Sequence, residues 1–163
     1  MGIFRRDVSL NSKDIVIILV FVVLAAFLVA ATHYGTKSLS AVRAYITAEG
    51  KWTKAQKKAV NQLLQYSSHQ EPELYGKAQR NLQIHEGFRQ ARLALVSGSS
   101  GHRKAVKGFE KAGMDPQDLE LLIWLTTNFK GVDRMEEALA IWEQGDRQIA
   151  RLDSLARQLH IAI

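Results

Sequence analysis

Two short stretches carry most of the side chains with chemistry to offer. Tyr45-Ile46-Thr47-Ala48-Glu49-Gly50-Lys51-Trp52 and Ile141-Trp142-Glu143-Gln144-Gly145-Asp146-Arg147 each set a tryptophan, a glycine and a carboxylate within a few residues, and Trp124 adds a third indole. Aromatic walls with a few fixed polar groups are how a helical bundle holds a small molecule. Tyr45, Glu49, Trp52, Trp124, Trp142 and Asp146 are therefore the candidate ligand-binding positions. The plainer reading makes the same residues bundle core: indoles fill space beside glycines that let helices approach, and Glu49 caps a helix or pairs with a base. Arg43, Arg147 and Arg151 are candidate anion contacts, because a guanidinium meets a carboxylate or phosphate through two parallel bonds. Paired with Glu143, Asp146 or Glu49 they are instead a solvated ion-pair surface, and that reading leads.

Nothing in the chain arranges a reaction. There is no nucleophile and base pairing, no glycine-rich phosphate loop and no paired metal motif. The five histidines, at 33, 69, 85, 102 and 160, are scattered, and His85 beside Glu86 and Arg89 reads as ordinary surface content. The absence of cysteine removes disulfides and thiolate chemistry. The expectation is a protein that is not an enzyme, with no catalytic residue, no metal and no cofactor.

The elements that must position these residues are helices. Proline occurs only at Pro72 and Pro116, and the stretches between glycines are rich in Ala, Leu, Glu, Gln, Lys and Arg. Ile15 to Ala31 is an unbroken apolar run of about 25 Å as a helix, enough with its neutral flanks for one tilted or locally thinned crossing of a ~30 Å hydrocarbon core. It is longer than the apolar core of a cleaved signal peptide and reads as an uncleaved anchor. Asn11 or Ser12 caps its start, with Asp14 in the first turn. Arg5, Arg6 and Lys13 on the near side bias the N-terminus toward the cytoplasm.

Past Thr32, the positions of Leu39, Val42, Tyr45 and Ile46 predict that the membrane helix continues into the first helix of the soluble part, ending at Gly50 unless Gly35 breaks it earlier. Thr53 then caps Lys54 to Tyr66, and Ser67 to Pro72 turns the chain. Glu73 to Val96 follows, burying Leu74, Ala78, Leu82, Ile84, Phe88, Ala91 and Leu95, and Ser97 to Gly101 forms a solvated connection. A short helix covers His102 to Ala112. Asp115-Pro116-Gln117-Asp118 opens the next one, with Asp115 as N-cap and Pro116 at the first helical position. Asp133 and Glu136 form a capping box for the last helix, 134 to 160, in which Met135, Trp142, Ile149 and Ala156 recur every seven residues alongside Ala138, Gly145, Leu152 and Leu159. That seam serves the bundle, a dimer contact, or both.

The predicted fold class is all-α: an N-terminal transmembrane helix continuing into an extracytoplasmic up-and-down helical bundle. Its parts are a cytoplasmic tail at 1–12, the membrane helix at 13–33, the bundle at 34–160, and at 161–163 the start of a second membrane-directed segment, as in the front portion of a longer protein. Net charge is +6, spread along the chain apart from Lys51, Lys54, Lys57 and Lys58. That pattern suits a solvated face near anionic lipid better than a nucleic-acid stripe, so no nucleic acid is expected as a partner.

Arg43-Ala44-Tyr45-Ile46-Thr47-Ala48-Glu49-Gly50-Lys51-Trp52-Thr53-Lys54-Ala55-Gln56-Lys57, Gly113-Met114-Asp115-Pro116-Gln117-Asp118 with Ile123-Trp124-Leu125, and Ile141-Trp142-Glu143-Gln144-Gly145-Asp146 together resemble the helical periplasmic sensor or input region of bacterial membrane-bound signalling proteins. These are the proteins in which a second crossing leads to a cyclic-di-nucleotide synthase or hydrolase module or a histidine kinase. The likeness spans about Leu39 to His160. It implies an inner-membrane protein with its bulk in the periplasm that works as a homodimer, contacts membrane lipid, and answers a small ligand or a periplasmic protein. Tyr45, Glu49, Trp52, Trp124, Trp142 and Asp146 carry over as pocket or packing residues. The second transmembrane helix and the output module of that pattern are not in this chain. The alternative is a single-pass structural or interaction subunit whose bundle docks a partner protein. An enclosed pocket lined by Trp52, Trp124 and Trp142 favours sensing, and an exposed apolar groove favours docking.

Overall fold

The computed structural model of the chain describes residues 11–97 and 101–163. The tail at 1–10 and the middle of the expected connection at 97–101 lie outside the described residues. Five α-helices follow in order: α1 (Ser12–His69), α2 (Pro72–Val96), α3 (His102–Lys111), α4 (Pro116–Phe129) and α5 (Asp133–Ala162), with no strand among the described residues. The contact pattern separates the residues up to Ser38 from Leu39–Ile163 as two compact units.

In the first unit every residue from Ile15 to Ala31 is exposed, and α1 holds an 18-residue window of mean hydropathy 3.2. By length and composition this helix can cross a membrane. The Thr32 and Thr36 hydroxyls donate to the carbonyls of Leu28 and Thr32 at 2.8 and 2.6 Å, which satisfies them within the helix. Asp14 accepts from the backbone N–H of Asn11 at 3.2 Å and closes the first turn.

The second unit is an all-helical bundle, and α1 enters it differently from the expectation. The helix breaks neither at Gly35 nor at Gly50 and runs on to His69, so Thr53 caps nothing. A lone glycine costs a helix only about 1 kcal/mol, and the buried stripe Ala41, Ala44, Ala48, Ala55, Ala59, Leu63 and Tyr66 holds both sides of Gly50 against the bundle. Leu39, Val42 and Ile46 are exposed, and the inward face is made of alanines, whose small side chains let neighbouring helices come close. The turn shrinks to Gln70 and Glu71, with Gln70 at φ 57° and Pro72 opening α2.

On α2, Ala78, Leu82, Phe88 and Ala91 are buried as expected, while Leu74, Ile84 and Leu95 are half-buried. Where α2 crosses α3, Gly87 and Gly108 bring the two backbones together. A Cβ on Gly87 would lie 2.7 Å from the Gly108 carbonyl oxygen, and one on Gly108 would lie 2.5 Å from the Ala91 nitrogen. Gly113, at φ 72°, closes α3 in a Schellman arrangement, with Met114 N–H donating to the Phe109 carbonyl and Gly113 N–H to that of Glu110. Asp115 caps α4 as expected, accepting from Gln117 N–H at 2.9 Å. Asp133 does not cap α5: it lies inside the first turn, and Val132 at the N-cap position offers no side-chain bond.

Two apolar clusters result. One joins Ala48, Phe88, Ala91, Phe109, Met114, Leu119 and Leu122 with their neighbours on α2, α3 and α4. The other joins Ala59, Leu63, Ala78, Leu82, Ile149 and Ala156. Trp52 packs against both. The seven-residue seam of α5 faces into its own chain: Ile149 and Ala156 are buried, and Trp142 packs on the first cluster.

Candidate functional site

The site is built around Trp52, at the join between the two clusters. Its indole meets the His85 imidazole nearly edge-on, with ring centroids 4.7 Å apart and planes at 84°. On α5, Gly145 leaves the space the indole occupies, since a Cβ there would lie 3.0 Å from its Cζ2 and 3.3 Å from its Cη2. One helical turn earlier, Trp142 stacks on Tyr45 at 5.4 Å and 7°, and meets Phe88 edge-on at 6.4 Å. Trp142 and Gly145, one turn apart on α5, thus face Tyr45 and Trp52, seven residues apart on α1.

Beneath the indoles lies an ion pair. Arg92 donates through Nε to Asp146 Oδ2 at 2.8 Å, and the two side chains are only 9% and 10% exposed. Burial pushes the Asp146 carboxyl above its usual range, against the opposing pull of Arg92. Ala48, Trp52, Phe88, Arg92, Trp142 and Asp146 enclose a void of about 10 Å³, room for a single water. His85 is 1% exposed and neither ring nitrogen has a hydrogen-bond partner; burial pushes its pKa down to about 4. The expectation of a surface histidine was wrong. Ala78, His85 and Arg92 recur every seven residues on one face of α2, and that spacing could have placed both polar residues inside.

Two larger spaces open beside Trp52. A cleft of about 500 Å³ between α2 and α5 has His85, Asp146, Leu82 and Ile149 in its lining, with Glu86–Arg89 and Asp153–Arg157 ion pairs beside them. A smaller pocket of about 230 Å³ lies between α1 and α5, lined by Glu49, Trp52, Thr53, Ile141, Trp142 and Gly145. Glu49 accepts from the Tyr45 hydroxyl at 3.1 Å. Burial and the neighbouring carboxylate push that phenol up to about 12, so it stays protonated and keeps donating.

The structure brings five of the six aromatic and acidic positions together: Tyr45, Glu49, Trp52, Trp142 and Asp146. Trp124 stands apart on α4, edge-on to Phe129 at 5.8 Å, and lines none of these three cavities, so none of them holds all three indoles. Among the arginines, Arg147 pairs with Glu143 at 2.7 Å, Arg43 and Arg151 are exposed, and none of the three lines the cavities. The described residues include no group of three or more side chains placed to hold a metal ion. No family model, no curated protein and no solved structure matches the chain.

Proposed function

We propose that the chain is the extracytoplasmic sensor or input region of a bacterial inner-membrane signalling protein, with its N-terminus in the cytoplasm, and that it carries no catalysis of its own. The observation behind this reading is that α1 runs unbroken from Ser12 to His69. One helix therefore bears the apolar run at 15–31 and, further along, Tyr45, Glu49 and Trp52, which face Trp142 and Gly145 of α5 across a pocket. A ligand settling there changes the packing of α5 against α1, and displacements of ~1–2 Å along a helix are a known means of signalling. The exposed stripe Leu39, Val42 and Ile46 supports a homodimer in which two copies of α1 meet.

A chimera tests the reading. The chain replaces the input region of a membrane-bound histidine kinase, and autophosphorylation is measured with Trp142→Ala and Glu49→Ala variants whose folding is checked by circular dichroism. Sensing requires a several-fold change of output from folded protein. Unchanged output from folded variants leaves the docking subunit as the better account. Alkaline phosphatase fused after Ile163 checks the topology, and an inactive fusion overturns the periplasmic placement.

A further inference from the structure

The geometry points to an organic cation, a small molecule carrying an ammonium or guanidinium group, as the ligand of the pocket formed by Glu49, Trp52 and Trp142. Glu49 is the one charged residue among the six that line it. Among the described residues it stands in no ion pair, and its partner is the neutral hydroxyl of Tyr45. A carboxylate without a cation therefore stands beside two half-buried indoles.

Indole faces attract cations through their quadrupole and do so most strongly where water is reduced. A carboxylate adds a point charge of the right sign. An anion meets only repulsion there, since no arginine or lysine is among the lining residues. A neutral molecule gains from the apolar walls of Ile141 and the indoles but leaves Glu49 unmatched. At about 230 Å³ the pocket is below the size of a drug-sized site and suits a head group or a short amine. Trp52 also touches His85 and Gly145, so a cation seated against it acts on α2 and α5 together.

As the signal for the sensing reading above, such a cation rests on that reading; as a ligand it rests on the pocket alone. The test uses the full chain in dodecyl maltoside, which bears no charge, in a Trp124→Phe background so that fluorescence reports Trp52 and Trp142. Choline is titrated against 3,3-dimethylbutan-1-ol, its uncharged isostere, and agmatine serves as the guanidinium probe. Choline or agmatine should quench saturably at least about tenfold more tightly than the isostere, and Glu49→Gln should remove about that factor while sparing the isostere. Which of the two binds tighter identifies the head group. No saturation below about 10 mM, equal binding of the isostere, or an unchanged affinity in Glu49→Gln overturns the proposal. Binding without a response in the kinase chimera keeps the site and removes the sensing role; a response to Trp142→Ala without cation binding does the reverse.

Discussion

Arg92 meets Asp146 with two nitrogens on one oxygen: Nε and Nη2 each lie 2.8 Å from Oδ2. The pair ties the C-terminal part of α2 to the middle of α5 beside Trp52 and Trp142. Its geometry helps offset the desolvation of two buried charges, and the protein is exposed to a large loss when one partner goes. Asp146→Ala leaves a guanidinium buried and unpaired and is expected to lower stability by about 3–5 kcal/mol. The double change Arg92→Met with Asp146→Leu should recover most of that loss. Urea denaturation of the three proteins measures it, and a double variant as weak as the single one would show that the pair itself holds the helices.

His85 gives the fold a pH dependence in the opposite sense to a stabilising imidazolium. Its pKa falls from 6.5 to about 4 in the folded chain because burial disfavours the charged ring. The unfolded chain therefore takes up the proton first. Stability from this group is complete above pH 6.5 and drains away as pH falls from 6.5 toward 4, by about 3 kcal/mol in all. His85→Phe removes both unpartnered nitrogens and should flatten the curve in that window while raising stability at neutral pH. Thermal unfolding at half-unit pH steps compares the two, and parallel curves would rule this titration out.

Gly50 and Gly108 look alike in sequence and behave oppositely. A Cβ at Gly50 meets nothing within 4 Å in the middle of α1, whereas one at Gly108 meets the α2 backbone at Ala91. Gly50→Ala should stabilise by about 0.5–1 kcal/mol through the helix and the unfolded chain. Gly108→Ala should force α3 away from α2 and destabilise by at least about 1–3 kcal/mol. Equal and opposite shifts in melting temperature are not required, only opposite signs; two shifts of the same sign contradict the crossing.

These two glycines also show where reading the sequence works and where it stops. Helix starts marked by local chemistry, as at Asp115-Pro116, were legible because the cap needs only neighbours in the chain. The end of α1 was not, because Gly50 signals a break whose small cost is overcome by packing from distant residues. The inward face of α1 was not legible either: Leu39, Val42 and Ile46 are the more hydrophobic stripe and are exposed, and the close approach of helices selects Ala41, Ala44 and Ala48 instead. At the site, Tyr45, Glu49, Trp52, Trp142 and Asp146 stood out by residue type and spacing. His85 and Arg92 did not, since polar residues inside a helix look solvated until the partner across the bundle is known.

Gly145 sets the position of Trp52. A Cβ there would stand 3.0 Å from Cζ2 and 3.3 Å from Cη2 of the indole, closer than ordinary contact, so the ring must move by a few tenths of an ångström. The ring cannot swing freely, because His85 lies against it on α2. Gly145→Ala should therefore cost about 1 kcal/mol of stability through crowding, with a gain in helix propensity offsetting part of it. Its larger effect should be local: a changed Trp52 emission spectrum and weaker cation binding in the pocket, with the circular dichroism of the helices preserved. Gly131→Ala, at a position where a Cβ meets nothing within 4 Å, is the control. Unaltered Trp52 emission in Gly145→Ala, measured with Trp124 and Trp142 replaced by phenylalanine, would separate the glycine from the shape of the pocket it lines.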